Sequence, residues 1–141
     1  MKENDIERFF PYHTNDYPQA LAEIRAGHKE SHWIWYIFPQ LKGLGVTPRS
    51  ELFGIKDAEE AREYLSHPVL GADLAEISGA LLGLDETDPV KVMGRIDALK
   101  LRSCMTLFAS VSEGDSVYHR VLAKYYGGEM DGETLRMLGR Q

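Results

Sequence analysis

Residues 97–111 read DALKLRSCMTLFASV, and this stretch carries the pattern that decides the fold. Apolar side chains recur in it at helical spacing, at Leu101, Cys104, Met105, Leu107, Phe108 and Val111. The sector that they form is wider than the apolar stripe of an ordinary surface helix. We therefore expect a central helix that runs through the core, with Asp97 as its N-cap.

Helical spacing and helix start and stop signals continue on both sides of this stretch. They predict helices at 16–26, 34–38, 57–66, 68–83 and 88–93 before it, and at 115–126 and 134–138 after it. The glycines and the proline of residues 41–50 predict an irregular loop. No pair of segments alternates in hydropathy as paired strands do. The sequence thus predicts an all-α, non-repeating domain of six to eight helices that comprises residues 1–141.

Length, charge and cysteine content restrict the classes of protein to which the chain can belong. With 141 residues, 43% of them hydrophobic, it has the size and composition of one globular domain. Its 22 acidic and 16 basic residues argue against binding nucleic acid through phosphate neutralisation. The single cysteine, Cys104, excludes an internal disulfide and a thiolate zinc site. Since neither a signal peptide nor an apolar run of ~18 residues is present, we expect a cytoplasmic protein without membrane contact.

The segment 29–45 concentrates side chains that can bind a ligand. It contains both tryptophans of the chain, Trp33 and Trp35. On a helix, Lys29, His32 and Tyr36 would share one face, because residues three and four apart are neighbours. These groups can line a pocket in which rings stack on a flat ligand. They can equally anchor the segment in the core, where most aromatic clusters lie, and both interpretations stay open.

Two patterns that suggest metal or phosphate chemistry fail in detail. His28 and His32 have the spacing of two zinc ligands on a helix, but Glu30 follows His28 by two residues instead of one and points to the far side. Gly43-Leu44-Gly45 lacks the third glycine of a dinucleotide-binding loop and the lysine of a P-loop, and it is interpreted as a turn. The sequence therefore predicts no metal site and no cofactor.

Lys100 breaks two local preferences at once. It lies in line with the apolar sector of the central helix, and a cation early in a helix opposes the helix dipole. Such conflicts concentrate at functional sites. Lys100 and the neighbouring Ser103 can therefore belong to a site, or Lys100 can bury its stem and keep its ammonium in water.

Three motifs, separated in the chain, resemble those of a known protein family. They are Ser31-His32-Trp33-x-Trp35-x-x-Phe38-Pro39-Gln40 followed by Gly43-Leu44-Gly45, then Tyr64-Leu65-x-His67-Pro68-Val69-Leu70-Gly71, then Lys100-Leu101-x-Ser103-x-Met105-Thr106-Leu107-Phe108. In this order they resemble the bacterial family of unknown function DUF1810, over about residues 8–138. The resemblance implies an all-α fold and no established activity. It also associates the chain with proteins proposed to act on ADP-ribose or related nucleotides.

The same resemblance implies a set of ligand-contacting residues. His32 would be the general acid–base catalyst, because histidine titrates near neutral pH. Lys29 and Lys100 would hold anionic groups, and the rest would bind or stack on the ligand: Trp33, Trp35, Gln40 and Ser103. The chain departs from the family pattern at Pro11-Tyr12-His13-Thr14, where an Ala-Gln pair is usual, and at Ile34, where Met is common. If the missing glutamine served the site, either His13 replaces it or that contact is lost.

Two functions from different classes fit these observations. The first is binding or processing of a small nucleotide or ADP-ribose-like molecule, with a hydrolase or glycosidase-type reaction possible but no nucleophile visible. The alternative is a protein-interaction module without catalytic activity, in which the motifs only build the core. Recognition of nucleic acid would require Lys91, Arg95 and Arg102 on one surface, and the charge argues against it.

Overall fold

The computed structural model describes residues 5–139, and the regular elements in that range are helices. A 3₁₀ turn, Ile6–Phe9, precedes nine α-helices: α1 (Phe10–Arg25), α2 (Ile34–Ile37), α3 (Pro48–Phe53), α4 (Ala58–Ser66), α5 (Leu70–Leu82), α6 (Pro89–Met93), α7 (Arg95–Ala109), α8 (Val117–Tyr126) and α9 (Gly132–Leu138). The all-α class is confirmed. The helix beyond the expected number is α3, which starts inside the predicted loop because Thr47 caps it and Pro48 follows.

Helix α7 lies at the centre of the fold, as its apolar sector indicates. Its inward side chains are fully buried, and it packs against α4, α6, α8 and α9. It begins at Arg95, after Gly94 with φ of 86°. The expectation that Asp97 is its N-cap is therefore wrong. Asp97 lies in the first turn, where its carboxylate faces Lys29 and Lys100.

Helix α1 begins earlier than its apolar spacing suggests, at Phe10 instead of residue 16. Pro11 occupies the first turn, where a missing amide hydrogen costs nothing, and Pro18 lies inside the helix. The additional turns are held by the fully buried His13, and Phe9, directly before the helix, is fully buried as well.

His13 joins three helices and does not lie at any cavity described below. Its ring is fully buried and stacks on Tyr17 at 5.2 Å between centroids. Nδ1 lies 2.8 Å from the carbonyl oxygen of Tyr36 in α2, and Nε2 lies 2.9 Å from Asp73 Oδ2 in α5. Each ring nitrogen therefore faces an oxygen atom of another helix. The idea that His13 replaces a site glutamine is thus not supported, because its hydrogen-bonding capacity is used in the core.

Two acidic residues, Asp57 and Glu60, fix the start of α4. Asp57 caps α4 by accepting a hydrogen bond from the amide of Glu60 at 2.9 Å, as expected. The Glu60 carboxylate receives the guanidinium of Arg8 at 2.8 Å and the amide of Lys56 at 2.9 Å. Burial acts to raise the pKa of Glu60, but these donors outweigh it and lower that pKa. Arg8 also donates to the carbonyl of Gly54 and so fixes the chain before α4.

Helix α5 starts at Leu70, two residues later than predicted, with Val69 at its N-cap position, and the His67 side chain binds the amides there. His67 Nδ1 accepts hydrogen bonds from the amides of Val69 and Leu70, both at 3.1 Å. None of the helices within residues 5–139 is both long and apolar enough to cross a membrane.

Candidate functional site

A cavity of about 350 Å³ lies on the outer side of α7. The chain after α2 and the start of α9 form its other walls, and its lining residues are Gln40, Leu44, Gly45, Ile96, Leu99, Lys100, Ser103, Asp131 and Glu133. Three residues singled out from the sequence meet here although they are far apart in the chain: Gln40, Lys100 and Ser103. Gly45, interpreted from the sequence as part of a simple turn, belongs to the same wall.

Lys100 lines this cavity, and its ammonium lies over the ring of Trp35. Nζ lies 4.9 Å from the ring centroid, within the range of a cation–π contact. Its nearest carboxylate oxygen in the structure is Asp97 Oδ1, at 3.8 Å, and 28% of the side chain is exposed. Lys100 is therefore partly buried, with its ammonium close to both an aromatic ring and a carboxylate.

Ser103 and Asp131 are further polar residues of the cavity lining. Ser103 follows Lys100 by about one turn of α7, and Asp131 is the N-cap of α9. Ser103 Oγ lies 3.1 Å from Asp131 Oδ2 and 3.2 Å from the carbonyl oxygen of Leu99. The same carboxylate oxygen caps α9 by accepting from the amide and the hydroxyl of Thr134, at 3.1 and 2.6 Å. Arg102 approaches the other oxygen, Oδ1, at 4.0 Å. Asp131 is therefore fixed in position while Oδ1 can still accept a hydrogen bond.

Gln40 is held by its backbone and keeps its side chain available. Its carbonyl oxygen accepts a hydrogen bond from the amide of Ile55 at 2.9 Å, next to the short parallel bridge between Leu41 and Ile55. Within residues 5–139 its side-chain amide makes no hydrogen bond. Gln40 thus brings to the lining of the cavity an amide group that can both donate and accept.

The two tryptophans have different environments. Trp33 is 1% exposed, and its indole Nε1 donates to Glu23 Oε1 at 2.9 Å. Trp35 is only partly buried and has two cations against its ring, Lys100 Nζ at 4.9 Å and Arg49 Cζ at 5.0 Å. Trp35 does not itself line the cavity, but its ring contacts Lys100, which does.

Lys29 is part of the packing beneath the site. Its side chain is 5% exposed, and Nζ lies 2.7 Å from Asp97 Oδ2 and 4.7 Å from the ring centroid of Trp33. Nζ also donates to the carbonyl oxygen of Ser31. Asp97 thereby lies between two lysines, the buried Lys29 and the half-exposed Lys100.

His32 opens into a second cavity, of about 410 Å³, which it lines with residues 93–97. The expectation that Lys29, His32 and Tyr36 share one helical face is wrong, because α2 begins only at Ile34 and the residues before it are irregular. The two cavities have Ile96 in common. His32 is thus a neighbour of the Lys100 cavity and does not line it.

Glu23 in α1 fixes the irregular segment that carries Lys29, Trp33 and His32. Its carboxylate, in a side chain 5% exposed, accepts five hydrogen bonds: from Trp33 Nε1, the amides of Glu30 and Ser31, Ser31 Oγ and Gln19 Nε2. Burial acts to raise the pKa of Glu23, but the donors outweigh it and bring that pKa down to about 2. These five donors therefore stabilise the anion in the core.

Sequence analysis did not identify Asp131, Glu133 or Arg49. Asp131 carried a detectable signal, because Asp131-Gly132-Glu133-Thr134 reads as a capped helix start. Its contact with Ser103 joins positions far apart in sequence, and no local pattern reports such a contact. Arg49 follows Pro48 in the segment expected to be a loop, and nothing in the sequence distinguishes it from a solvated cation.

Comparison with known proteins agrees with this architecture. The conserved hypothetical protein Rv1873 from Mycobacterium tuberculosis, solved by crystallography, superposes with a TM-score of 0.94 at 39% sequence identity, over 98% of this chain and 99% of that one. A search of curated proteins finds no match. The model of a family described as a protein of unknown function, DUF1810, matches residues 3–138. The chain therefore belongs to the DUF1810 family.

Proposed function

We propose that the protein binds a nucleotide or ADP-ribose-like small molecule in the cavity at Lys100. The observation that carries this proposal is the convergence of Gln40, Lys100 and Ser103 on one open cavity, from segments far apart in the chain. A structural role alone does not require their polar groups to face the same space.

The lining suits a ligand that has both anionic and hydroxyl groups. Lys100, whose nearest carboxylate oxygen is Asp97 Oδ1 at 3.8 Å, is a cation that can hold a phosphate. Asp131 Oδ1 and the Gln40 amide can accept hydrogen bonds from sugar hydroxyls. Leu44 and Leu99 provide apolar surface for a base. Each part of a nucleotide thus has a complementary group in the cavity.

Trp35 is the ring that we assign to stacking, because the ring of Trp33 is enclosed by the core. We place binding ahead of catalysis, since His32 faces the neighbouring cavity. A hydrolytic or glycosidase-type reaction would need His32 to reach a ligand that extends past Ile96. We further propose that the protein acts in the cytoplasm, which suits its buried, reduced Cys104.

A thermal-shift screen against nucleotides, NAD, ADP-ribose and sugar phosphates tests the proposal. A ligand at a hundred times its dissociation constant is expected to stabilise the protein by about 2.7 kcal/mol, which is visible as a higher Tm. Lys100→Ala should remove most of this shift, because it removes the charge that faces the ligand.

Lys91→Ala, which removes an exposed lysine of α6, is the matched control and should leave the ligand-induced shift unchanged. Absence of a shift with every compound would contradict the proposal. So would equal shifts in the wild-type protein and the Lys100→Ala variant.

An interaction module is the second candidate, and one observation favours it. Ile96 and Leu99 are 66% and 63% exposed beside the cavity, and Val46 in the adjoining loop is 94% exposed. Exposed apolar groups of this kind also occur at protein-binding surfaces. Loss of partner binding on Leu99→Ser, in a protein that binds none of the screened compounds, would favour this function.

A further inference from the structure

We propose that Lys29 neutralises Asp97 and thereby keeps the charge of Lys100 available to an anionic ligand. This inference rests on the proposed function and adds to it a positioning residue that lies outside the cavity. Asp97 lies between the two lysines: its Oδ2 is 2.7 Å from Lys29 Nζ, and its Oδ1 is 3.8 Å from Lys100 Nζ. Within residues 5–139, these are the two cations that come within 4.0 Å of the carboxylate.

The lining of the Lys100 cavity makes the charge of this residue decisive for an anion. Among the lining residues that the structure describes, Lys100 is the cation, and Asp131 and Glu133 are acids. An anionic group is therefore expected to bind beside Lys100. A lysine that is fully paired with a carboxylate attracts an added anion much less, because the two opposite charges cancel at a distance. The pairing of Asp97 thus determines how strongly the cavity attracts an anion.

The two contacts of Asp97 are unequal. The distance of 2.7 Å to Lys29 is that of a charge-assisted hydrogen bond, and only 5% of the Lys29 side chain is exposed. The distance of 3.8 Å to Lys100 is too long for a hydrogen bond, and 28% of that side chain is exposed. Since water and salt screen the exposed pair more than the buried one, Asp97 is compensated mainly by Lys29. The net positive charge of the three groups therefore lies at Lys100.

Lys29 is held in place at both ends. Its backbone amide donates to the carbonyl oxygen of Val92 in α6, at 2.7 Å. Its ammonium lies 4.7 Å from the ring centroid of Trp33 and donates to the carbonyl oxygen of Ser31. Lys29 does not line the Lys100 cavity, and it could extend to a ligand there only by leaving these partners. It is therefore a positioning residue, which acts on the ligand through Asp97.

A double-mutant cycle at Lys29 and Asp97, with binding of ADP and of adenosine measured by isothermal titration calorimetry, tests this inference. Lys29→Met keeps an apolar stem against Trp33 but removes the charge, so Asp97 is left to pair with Lys100. We expect ADP binding to weaken roughly 5-fold or more, because the phosphates then meet a neutralised lysine. Binding of adenosine, which carries no phosphate, should stay unchanged.

The double variant that combines Lys29→Met with Asp97→Asn removes the pair as a unit. It should bind ADP at least as tightly as the wild-type protein, because Lys100 keeps its charge and loses the competing carboxylate. This variant leaves no buried charge without a partner, so it keeps the inference falsifiable even if Lys29→Met alone does not fold.

Lys91→Met removes an exposed lysine of α6 and controls for the loss of net charge. Equal losses of ADP affinity in Lys91→Met and Lys29→Met would overturn the inference. So would unchanged ADP binding in Lys29→Met. A double variant that binds ADP several times more weakly than the wild-type protein would overturn it as well, because Lys29 would then act by contact or packing instead of through Asp97.

These results would leave the proposed site at Lys100 standing. If neither ADP nor any other nucleotide bound the wild-type protein, or if Lys100→Ala left binding unchanged, the proposed function and this inference would both fall.

Discussion

Glu23→Ala is expected to lower the free energy of unfolding by about 3 kcal/mol. The substitution removes the acceptor of five hydrogen bonds and leaves the buried indole N–H of Trp33 without a partner. The amides of Glu30 and Ser31, which are nearer to solvent, can regain part of the loss from water. Urea denaturation followed by far-ultraviolet circular dichroism measures the change.

The control for this experiment is Glu30→Ala, which removes an exposed acid from the same segment. It should change stability by less than about 0.5 kcal/mol. The free energy of unfolding of Glu23→Gln should lie between those of Glu23→Ala and Glu30→Ala. Its amide keeps one acceptor oxygen but places an N–H₂ group against hydrogen-bond donors. A Glu23→Ala protein as stable as Glu30→Ala would mean that the carboxylate does not hold the segment in place.

His13→Ala is expected to destabilise the protein by about 3 kcal/mol through two effects. It leaves the carbonyl of Tyr36 and the carboxylate of Asp73 without their donor, and it opens a cavity beside Tyr17. Asp73 is 24% exposed, so water can hydrate it in part and limit the loss. The same denaturation measurement applies, with thermal unfolding as a second reading.

His28→Ala, which removes an exposed histidine, serves as the comparison and should be close to the wild type. His13→Gln should recover part of the loss, because its amide nitrogen can donate to one of the two acceptors. If His13→Ala and His28→Ala were equally stable, the buried ring would not join α1 to α2 and α5 as described.

The central helix α7 could be predicted because a helix buried on most sides has a wide sector of apolar residues, which is visible in the local sequence. Leu101, Cys104 and Phe108 are fully buried in α7, in agreement with the apolar sector of 97–111. The cap at Asp57 was predictable for the same reason, since a cap and its amide partner are neighbours in sequence. Helix starts were less predictable where tertiary contacts extend a helix, as at the buried His13 in α1.

The site could be predicted only in part, because its geometry depends on contacts distant in sequence. Motif residues pointed to Lys100, Ser103 and Gln40, and these three share a cavity. The expected face of Lys29 and His32 did not form, because Glu23 holds their segment in an irregular conformation. The prediction of a shared face assumed that residues 29–36 form a helix. No local sequence pattern shows that the Glu23 carboxylate, on α1, binds this segment in a non-helical conformation.

The central claim is that a nucleotide-like ligand binds beside Trp35, and the indole N–H signals of the protein test it most directly. The chain has two tryptophans, so an ¹⁵N-edited spectrum should contain two such signals, which Trp35→Phe assigns. On titration with ADP-ribose, the Trp35 signal should shift progressively. The Trp33 signal should stay in place, because its N–H is bonded to Glu23 in the core. A Trp35 signal that does not move at saturating ADP-ribose, ADP or NAD would contradict the claim.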